Sequence, residues 1–148
     1  VGGSVDTCEA LLTLGCPIDS TDYDGQTPLL VACCIDNNAL VTLLVTRGGN
    51  VNHEDNKKKR PLHAACQTGN MLVAHSLIDA AASVNCVTDS GDTLLHVCAK
   101  NGKLLLFKWL LKLGLNLETR NSANQTPRDC AVANGNSNIV SWIDKSAN

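Results

Sequence analysis

The stretch that decides the fold is residues 25–33, which reads Gly-Gln-Thr-Pro-Leu-Leu-Val-Ala-Cys. Its Thr-Pro-Leu triplet begins at Thr27 and returns in related form at Arg60, Thr93 and Thr126. Each step between these positions is 33 residues long. Self-similarity at a fixed period of this length is the pattern of a chain built from stacked, similar units.

Glycines keep the same step of 33 residues. One set comprises Gly69, Gly102 and Gly135, with Asp36 in its fourth place, and a second comprises Gly15, Gly48 and Gly114, with Ala81 in the gap. Such glycines suit helix ends that need a left-handed residue. Ala81 therefore either takes that conformation, at a cost of about 1 kcal/mol, or extends its helix.

Each unit is predicted to contain two short helices and a turn. In the third unit Pro61 fits the first turn of a helix, where its missing N–H costs nothing, and the helix ends near Gly69. A second helix runs from Met71 to Ala80, and the polar stretch 81–92 forms the turn. The pattern predicts an all-α fold of helix-turn-helix units.

These columns resemble the ankyrin repeat, with its Gly-x-Thr-Pro-Leu-His-x-Ala-Ala segment followed by Leu-Leu-x-x-Gly-Ala-x-Val-Asn. The second segment appears here as Leu43-Leu44 and Gly48-Gly49-Asn50-Val51-Asn52. The resemblance covers essentially the whole chain. It implies an ankyrin-repeat solenoid with β-turn or hairpin tips and about four and a half repeats.

The register divides one ankyrin-repeat domain, residues 1–148, into a partial first repeat (1–21), three complete repeats (22–54, 55–87, 88–120) and a last repeat (121–148). Gly3 falls where a first helix should end, so 4–21 supply a second helix and loop. Asp144 stands where other units have an apolar residue, which predicts a C-terminal cap, because terminal repeats need a polar outer face. The truncated first repeat predicts repeats or another domain upstream.

Composition excludes several function classes. The net charge is −2 and aromatic residues make up 3%, which argues against nucleic-acid binding through global charge or base stacking. No apolar run approaches the roughly 18 residues that span a bilayer, so we expect no stable membrane insertion. The 8 cysteines contain no Cys-x-x-Cys pair and sit in apolar segments. We therefore expect reduced thiols and a cytoplasmic protein, with the nucleus as an alternative.

Candidate chemistry is sparse. His63 and Cys66 lie on one helix, with His96 and Cys98 in the next unit, but a zinc site needs four convergent ligands. The resemblance instead implies that both histidines are hydrogen-bonding elements linking neighbouring turns. A cysteine nucleophile lacks an evident orienting group and oxyanion hole, and no phosphate-binding loop occurs. We expect no catalytic residue, metal or cofactor.

The resemblance implies that partners contact the turn tips and the exposed side of the first helices, which together we call the groove. The tip residues are Tyr23, Asp24, Gln26, Lys57, Lys59, Asp89, Ser90 and Asp92, and the helix residues are Cys34, Ile35, Gln67, Thr68, Lys100 and Asn101. The tips alternate acidic, basic and acidic, which favours a partner of mixed charge. Tyr23 and Lys59 are the predicted hot spots.

Two features have open interpretations. The basic run of Lys57, Lys58, Lys59 and Arg60 is either a solvated turn, a docking patch for acidic peptides, phosphate or anionic lipid, or a nuclear-import signal. Asn52 and Asn85 occupy a column that resembles the family's asparagine-hydroxylation sites, and the alternative is a turn-stabilising side chain.

The main functional hypothesis is a non-catalytic scaffold that binds a protein or peptide and belongs to a larger protein. The first alternative is a docking or regulatory segment of an enzyme whose catalytic domain lies outside this chain. An unpaired apolar face at Leu11, Leu12 and Leu14 would support it. The second alternative is anionic-lipid or phosphoinositide binding through residues 57–60.

Overall fold

The computed structural model describes the backbone of residues 2–147 and the side chains of residue 6 and residues 9–147. Within that range the chain is all-α, as predicted, and no strand is present. Its helices are α1 (Gly2–Thr13), α2 (Pro28–Cys34), α3 (Asn38–Thr46), α4 (Pro61–Thr68), α5 (Met71–Asp79), α6 (Leu94–Asn101), α7 (Leu104–Lys112), α8 (Pro127–Ala133) and α9 (Ser137–Ser146).

The starts of the even-numbered helices follow from the recurring triplet. The hydroxyl of Thr27 accepts a hydrogen bond from the backbone N–H three residues later, and Thr93 and Thr126 cap α6 and α8 in the same way. These bonds satisfy N–H groups that lack a partner within the helix. Arg60 provides no such cap for α4, where Nδ1 of His63 accepts from the Arg60 N–H at 3.1 Å instead.

The helices form two layers. In one layer α2 packs on α4, α4 on α6 and α6 on α8, while α1, α3 and α5 pack in series in the other. A leucine column at the 33-residue step lies between the layers, and Leu44, Leu77 and Leu110 are each 0% exposed. The core is thus one continuous apolar cluster in which each unit covers its neighbour.

The first helix departs from the register. The glycine column predicts a helix end at Gly3, but α1 continues through Gly2 and Gly3 to Thr13. That prediction is wrong. Glycine adopts helical and left-handed backbone conformations about equally readily, so a glycine at this position does not by itself end a helix. Val1, the first residue of the predicted first repeat, lies outside the described residues.

Ala81 takes the left-handed conformation. Helix α5 ends at Asp79, and Ala81 has φ +72°, close to the φ of +86° at Gly48 in the same column. The alternative in which Ala81 extends the helix is therefore wrong. Asp36, in the other column, has φ +61°. The repeat imposes this backbone because the chain must reverse at the same place in every unit.

We expect Ala81→Gly to raise the free energy of unfolding by about 0.5–1 kcal/mol, because glycine adopts positive φ without the steric cost of a Cβ. Gly48→Ala is the matched control. A Cβ there meets nothing within 4 Å, so its expected loss of about 1 kcal/mol would be conformational alone. Urea unfolding curves measure both changes. If Ala81→Gly were no more stable than the unchanged chain, the left-handed conformation assigned to Ala81 would be contradicted.

Candidate protein-binding groove

Each turn tip is closed by one side chain at its start. Oδ1 of Asp22 accepts hydrogen bonds from the N–H groups of Asp24 at 3.0 Å and Gln26 at 2.8 Å. Asp55 and Asn121 close the tips of two later units through the same pair of bonds. A short polar side chain that bonds its own backbone in this way fixes a turn. The conformation of these tips is therefore set locally.

Backbone hydrogen bonds then join neighbouring tips into one row. The donor–acceptor pairs are Asn56 N to Asp24 O at 3.0 Å, Asp89 N to Lys57 O at 3.0 Å, and Ser122 N to Ser90 O at 2.9 Å. These bonds hold the hairpin-like tips that the resemblance implies. Because the row uses backbone groups, the side chains at the tips remain available to contact another molecule.

Most of the predicted tip residues face outward. Tyr23 is fully exposed, at 103% of its reference area. Asp24, Lys57, Asp89 and Ser90 are also exposed, and Gln26 is half-buried. The tips therefore present one aromatic ring and several charged side chains along one edge of the molecule.

Asp92 differs from this expectation, because it is only 7% exposed. Its Oδ2 forms an ion pair with Nζ of Lys100, and its Oδ1 accepts from Nδ2 of Asn121 at 2.8 Å. The side chain therefore ties its tip to the adjacent helix and to the next tip. In the predicted acidic, basic and acidic alternation, the second acidic stripe is reduced to Asp89.

Lys59 lies across the groove. Its Nζ donates to Oε1 of Gln67 at 2.8 Å and reaches Sγ of Cys34 at 3.5 Å. Three predicted binding residues, from one tip and the first helices of two units, thus meet at one point. They form a small polar cluster on the groove floor, and Lys59 itself is half-buried.

The other predicted helix residues are less engaged with the tips. Ile35 follows the end of α2 and is exposed. The Thr68 hydroxyl donates to the carbonyl of Ala65 at 3.2 Å, and the Asn101 side-chain amide donates to the carbonyl of Val97 at 2.8 Å. These polar groups stabilise their own helices.

The basic run divides among different environments. Arg60 forms an ion pair with Glu54 through Nε at 3.0 Å and NH2 at 2.7 Å. The Arg60 hydrogen bond is the main cause that lowers the pKa of the Glu54 carboxyl. Lys57 and Lys58 are exposed, and Lys58 has φ +58° in the tip column that holds Gly25 and Gly91 in the units on either side. The four charges therefore do not form one uniform patch.

Of the two histidines His63 and His96, only His96 forms the predicted hydrogen bond to the next unit. Nε2 of His96 lies 2.8 Å from the carbonyl of Gln125, which links one unit to the next tip as the resemblance implies. His63 differs, because its buried Nε2 has no well-aligned partner. Burial, followed by the nearby Arg60 charge, lowers the pKa of His63 from 6.5 to about 4, against the opposing carbonyls of Asp92 and Cys86.

The seven cysteines with described side chains are free thiols. Burial raises the pKa of Cys33 to about 12 and that of Cys86 to about 11, and it also raises the pKa of Cys66. These thiols are protonated at neutral pH and serve as small apolar side chains. Across the described side chains, no three of the His, Cys, Asp and Glu residues are arranged to hold a metal ion.

Asn52 has a structural role in the loops. Its Oδ1 accepts from the N–H of Ser83 at 2.8 Å, and its Nδ2 donates to the carbonyl of Ala81 at 3.2 Å. The side chain thereby ties two neighbouring loops together, as the turn-stabilising interpretation predicts. Asn85 is exposed. Hydroxylation of either side chain stays a prediction.

Two comparisons with known proteins agree with this architecture. A family model described as ankyrin repeats (3 copies) matches residues 1–88 and 70–148. A stretch of 47 residues, 32% of this chain, is 45% identical to the ankyrin repeat and LEM domain-containing protein 1 homolog of Caenorhabditis elegans, of which it covers 7%. The chain belongs to the ankyrin repeat family, and the predicted solenoid is confirmed. Ankyrin repeats are generally protein–protein interaction modules and are typically non-catalytic.

Within the described residues, no helix is both long and apolar enough to cross a membrane.

The buried imidazole of His63 should make stability depend on pH. The unfolded chain binds a proton at this ring below about pH 6.5, whereas the folded chain does so only near pH 4. Above pH 6.5 the ring is neutral in both states, and His63 does not lower the free energy of unfolding. As the pH falls towards 4, protonation of the unfolded chain lowers the free energy of unfolding. Leu30 occupies the equivalent position, so His63→Leu should remove about 2–3 kcal/mol of this loss. Urea unfolding at several pH values measures the free energy of unfolding of both proteins. If it fell equally with pH in His63→Leu and in the unchanged chain, the role of His63 would be contradicted.

Proposed function

We propose that this chain is a non-catalytic interaction module that binds a protein or peptide through its tips and groove. The observation that carries the proposal is the row of tips, which is fixed by backbone hydrogen bonds while its side chains face outward. A surface that is already ordered loses little conformational entropy on binding. We further propose that the module works as part of a larger protein.

The hot spots proposed within this surface are Tyr23 and Lys59. A fully exposed tyrosine supplies a large contact area with few rotatable bonds, and such aromatic side chains often dominate binding energy. The Tyr23 carbonyl accepts from Nδ2 of Asn56 at 3.0 Å, so its backbone is held by the next tip. Lys59 supports the proposal through its place on the groove floor, beside both first helices.

The double variant Tyr23→Ala/Lys59→Ala tests the surface. In affinity purification from a cytosolic extract, we expect it to lose partners that the unchanged chain retains, by about tenfold or more in recovered amount. The matched control is Leu105→Ala/Lys112→Ala, which removes an exposed leucine and lysine from α7. Mass spectrometry identifies the partners. Equal recovery by all three proteins would place binding elsewhere.

A second candidate, docking to another segment such as an enzyme domain, is favoured by Leu11. This residue belongs to the column of Leu44, Leu77 and Leu110, which are 0% exposed, yet Leu11 is 48% exposed. Leu14 is exposed as well, whereas Leu12 packs partly against the core. With Ile143, which is 6% exposed, this apolar position is covered in four units and open in one, which supports a contact with a further segment.

Leu11→Asp tests this second candidate. In the present chain it should lower the free energy of unfolding by less than about 1 kcal/mol, because the side chain is half open to water. In the intact protein the loss should be several times larger, since the carboxylate would be buried in the contact. Leu77→Asp, at a covered position, should be severely destabilising in both. Equal small losses for Leu11→Asp in both proteins would exclude the contact.

We do not propose the lipid alternative. Arg60 is paired with Glu54 and Lys59 contacts the groove, which leaves Lys57 and Lys58 as the exposed cations of the run. Anionic-lipid sites usually gather about four to eight basic residues. The cytoplasmic location, the nuclear alternative and the division into repeats stay predictions.

A further inference from the structure

Two columns of residues face each other along the groove at a spacing of eight. The tip column is Gln26, Lys59, Asp92 and Gln125, and the helix column is Cys34, Gln67, Lys100 and Ala133. In the described structure the contact occurs in successive units, between Lys59 and Gln67 and then between Asp92 and Lys100. The same geometry therefore carries different charges in different units.

The two contacts differ in charge balance. Lys100 and Asp92 neutralise each other, whereas Lys59 meets the neutral amide of Gln67 and the thiol of Cys34. The ion pairs among the described side chains join Arg47 with Glu9, Arg60 with Glu54, Lys100 with Asp92, and Arg128 with Asp144. None of them includes Lys59. In these two columns Lys59 is thus the charge that no carboxylate of the described chain compensates.

We propose that the groove selects a protein segment presenting an aspartate or glutamate, whose carboxylate pairs with Nζ of Lys59 above Gln67. The inference rests on the proposed function and names the chemistry of the partner. An ammonium has three N–H donors, of which Gln67 takes one and Cys34, a weak acceptor, takes another at 3.5 Å. A carboxylate supplies both the missing charge and a stronger acceptor.

The position of Lys59 makes this pairing selective. The residue is half-buried and its ammonium is already held by Gln67, so little side-chain entropy remains to be lost on binding. A fully exposed lysine such as Lys57 lacks this advantage, because surface ion pairs contribute little. A basic side chain of the partner would instead meet uncompensated like charge, which disfavours it.

The surroundings favour a carboxylate over a phosphate group. Two-pronged recognition of phosphate relies on the planar guanidinium of arginine. Arg60, the neighbour of Lys59 in sequence, already bonds Glu54 through Nε and NH2. The groove floor therefore offers one uncompensated point charge, that of Lys59, which matches a single acidic side chain.

A displayed library of random linear peptides provides the test, with this chain as bait. We expect the selected peptides to share one acidic position. Their affinity should fall about tenfold or more for Lys59→Gln, since a hydrogen bond to a charged group is lost. Gln67→Glu should weaken them to a similar degree while keeping Lys59, because it copies the self-neutralised contact of Asp92 and Lys100. Lys112→Gln, at an exposed lysine of α7 outside the groove, is the matched control and should bind as the unchanged chain does. Circular dichroism checks that every variant folds.

The outcomes separate this inference from the proposed function. Selected peptides that lose affinity with Tyr23→Ala but share no acidic position, or tolerate both Lys59→Gln and Gln67→Glu, would overturn the inference and leave the interaction module intact. Selection of phosphorylated peptides alone, from a library that includes phosphoserine, would also overturn it. If no peptide depends on any tip or groove residue, both the inference and the proposed function fail.

Discussion

The structure depends on the burial of one apolar column between successive units. Leu44, Leu77 and Leu110 are completely buried because each lies between the two helix layers, where its own unit and the neighbouring unit both cover it. A unit of two short helices has too little apolar surface to fold alone. Its stability therefore comes from its neighbours, and every unit must keep the same shape for the contacts to repeat.

This requirement for identical shape explains the backbone of the turns. The chain reverses at fixed places, so Ala81, Asp36 and Lys58 take positive φ where other units have glycine. The same regularity brings each tip beside the next, so the N–H of Asn56 meets the carbonyl of Asp24. Packing in the core thus fixes the row of tips.

The 33-residue period was enough to predict the helices, their starts and the tips, because each depends on local chemistry that recurs, such as the Thr27 cap and the left-handed Gly69. The environments of Asp92 and Lys59 were not predicted. Each depends on the partner eight residues ahead, and the column alone does not reveal whether that partner is charged. The continuation of α1 through Gly3 also escaped prediction, because glycine is compatible with both a helix end and a helix interior.

The specificity proposed for the groove comes from a difference between columns. Positions that pack or cap are held to a few residue types, since any change would alter the spacing of the units. The tip and helix columns of the groove carry no such constraint, so one unit pairs Asp92 with Lys100 while its neighbour leaves Lys59 without a carboxylate. Because the backbone is the same in both units, the difference is purely one of charge. Along the groove floor a neutral contact therefore lies next to a positive one, and on the proposed function this contrast sets the position along the solenoid at which an acidic side chain of the partner binds most strongly.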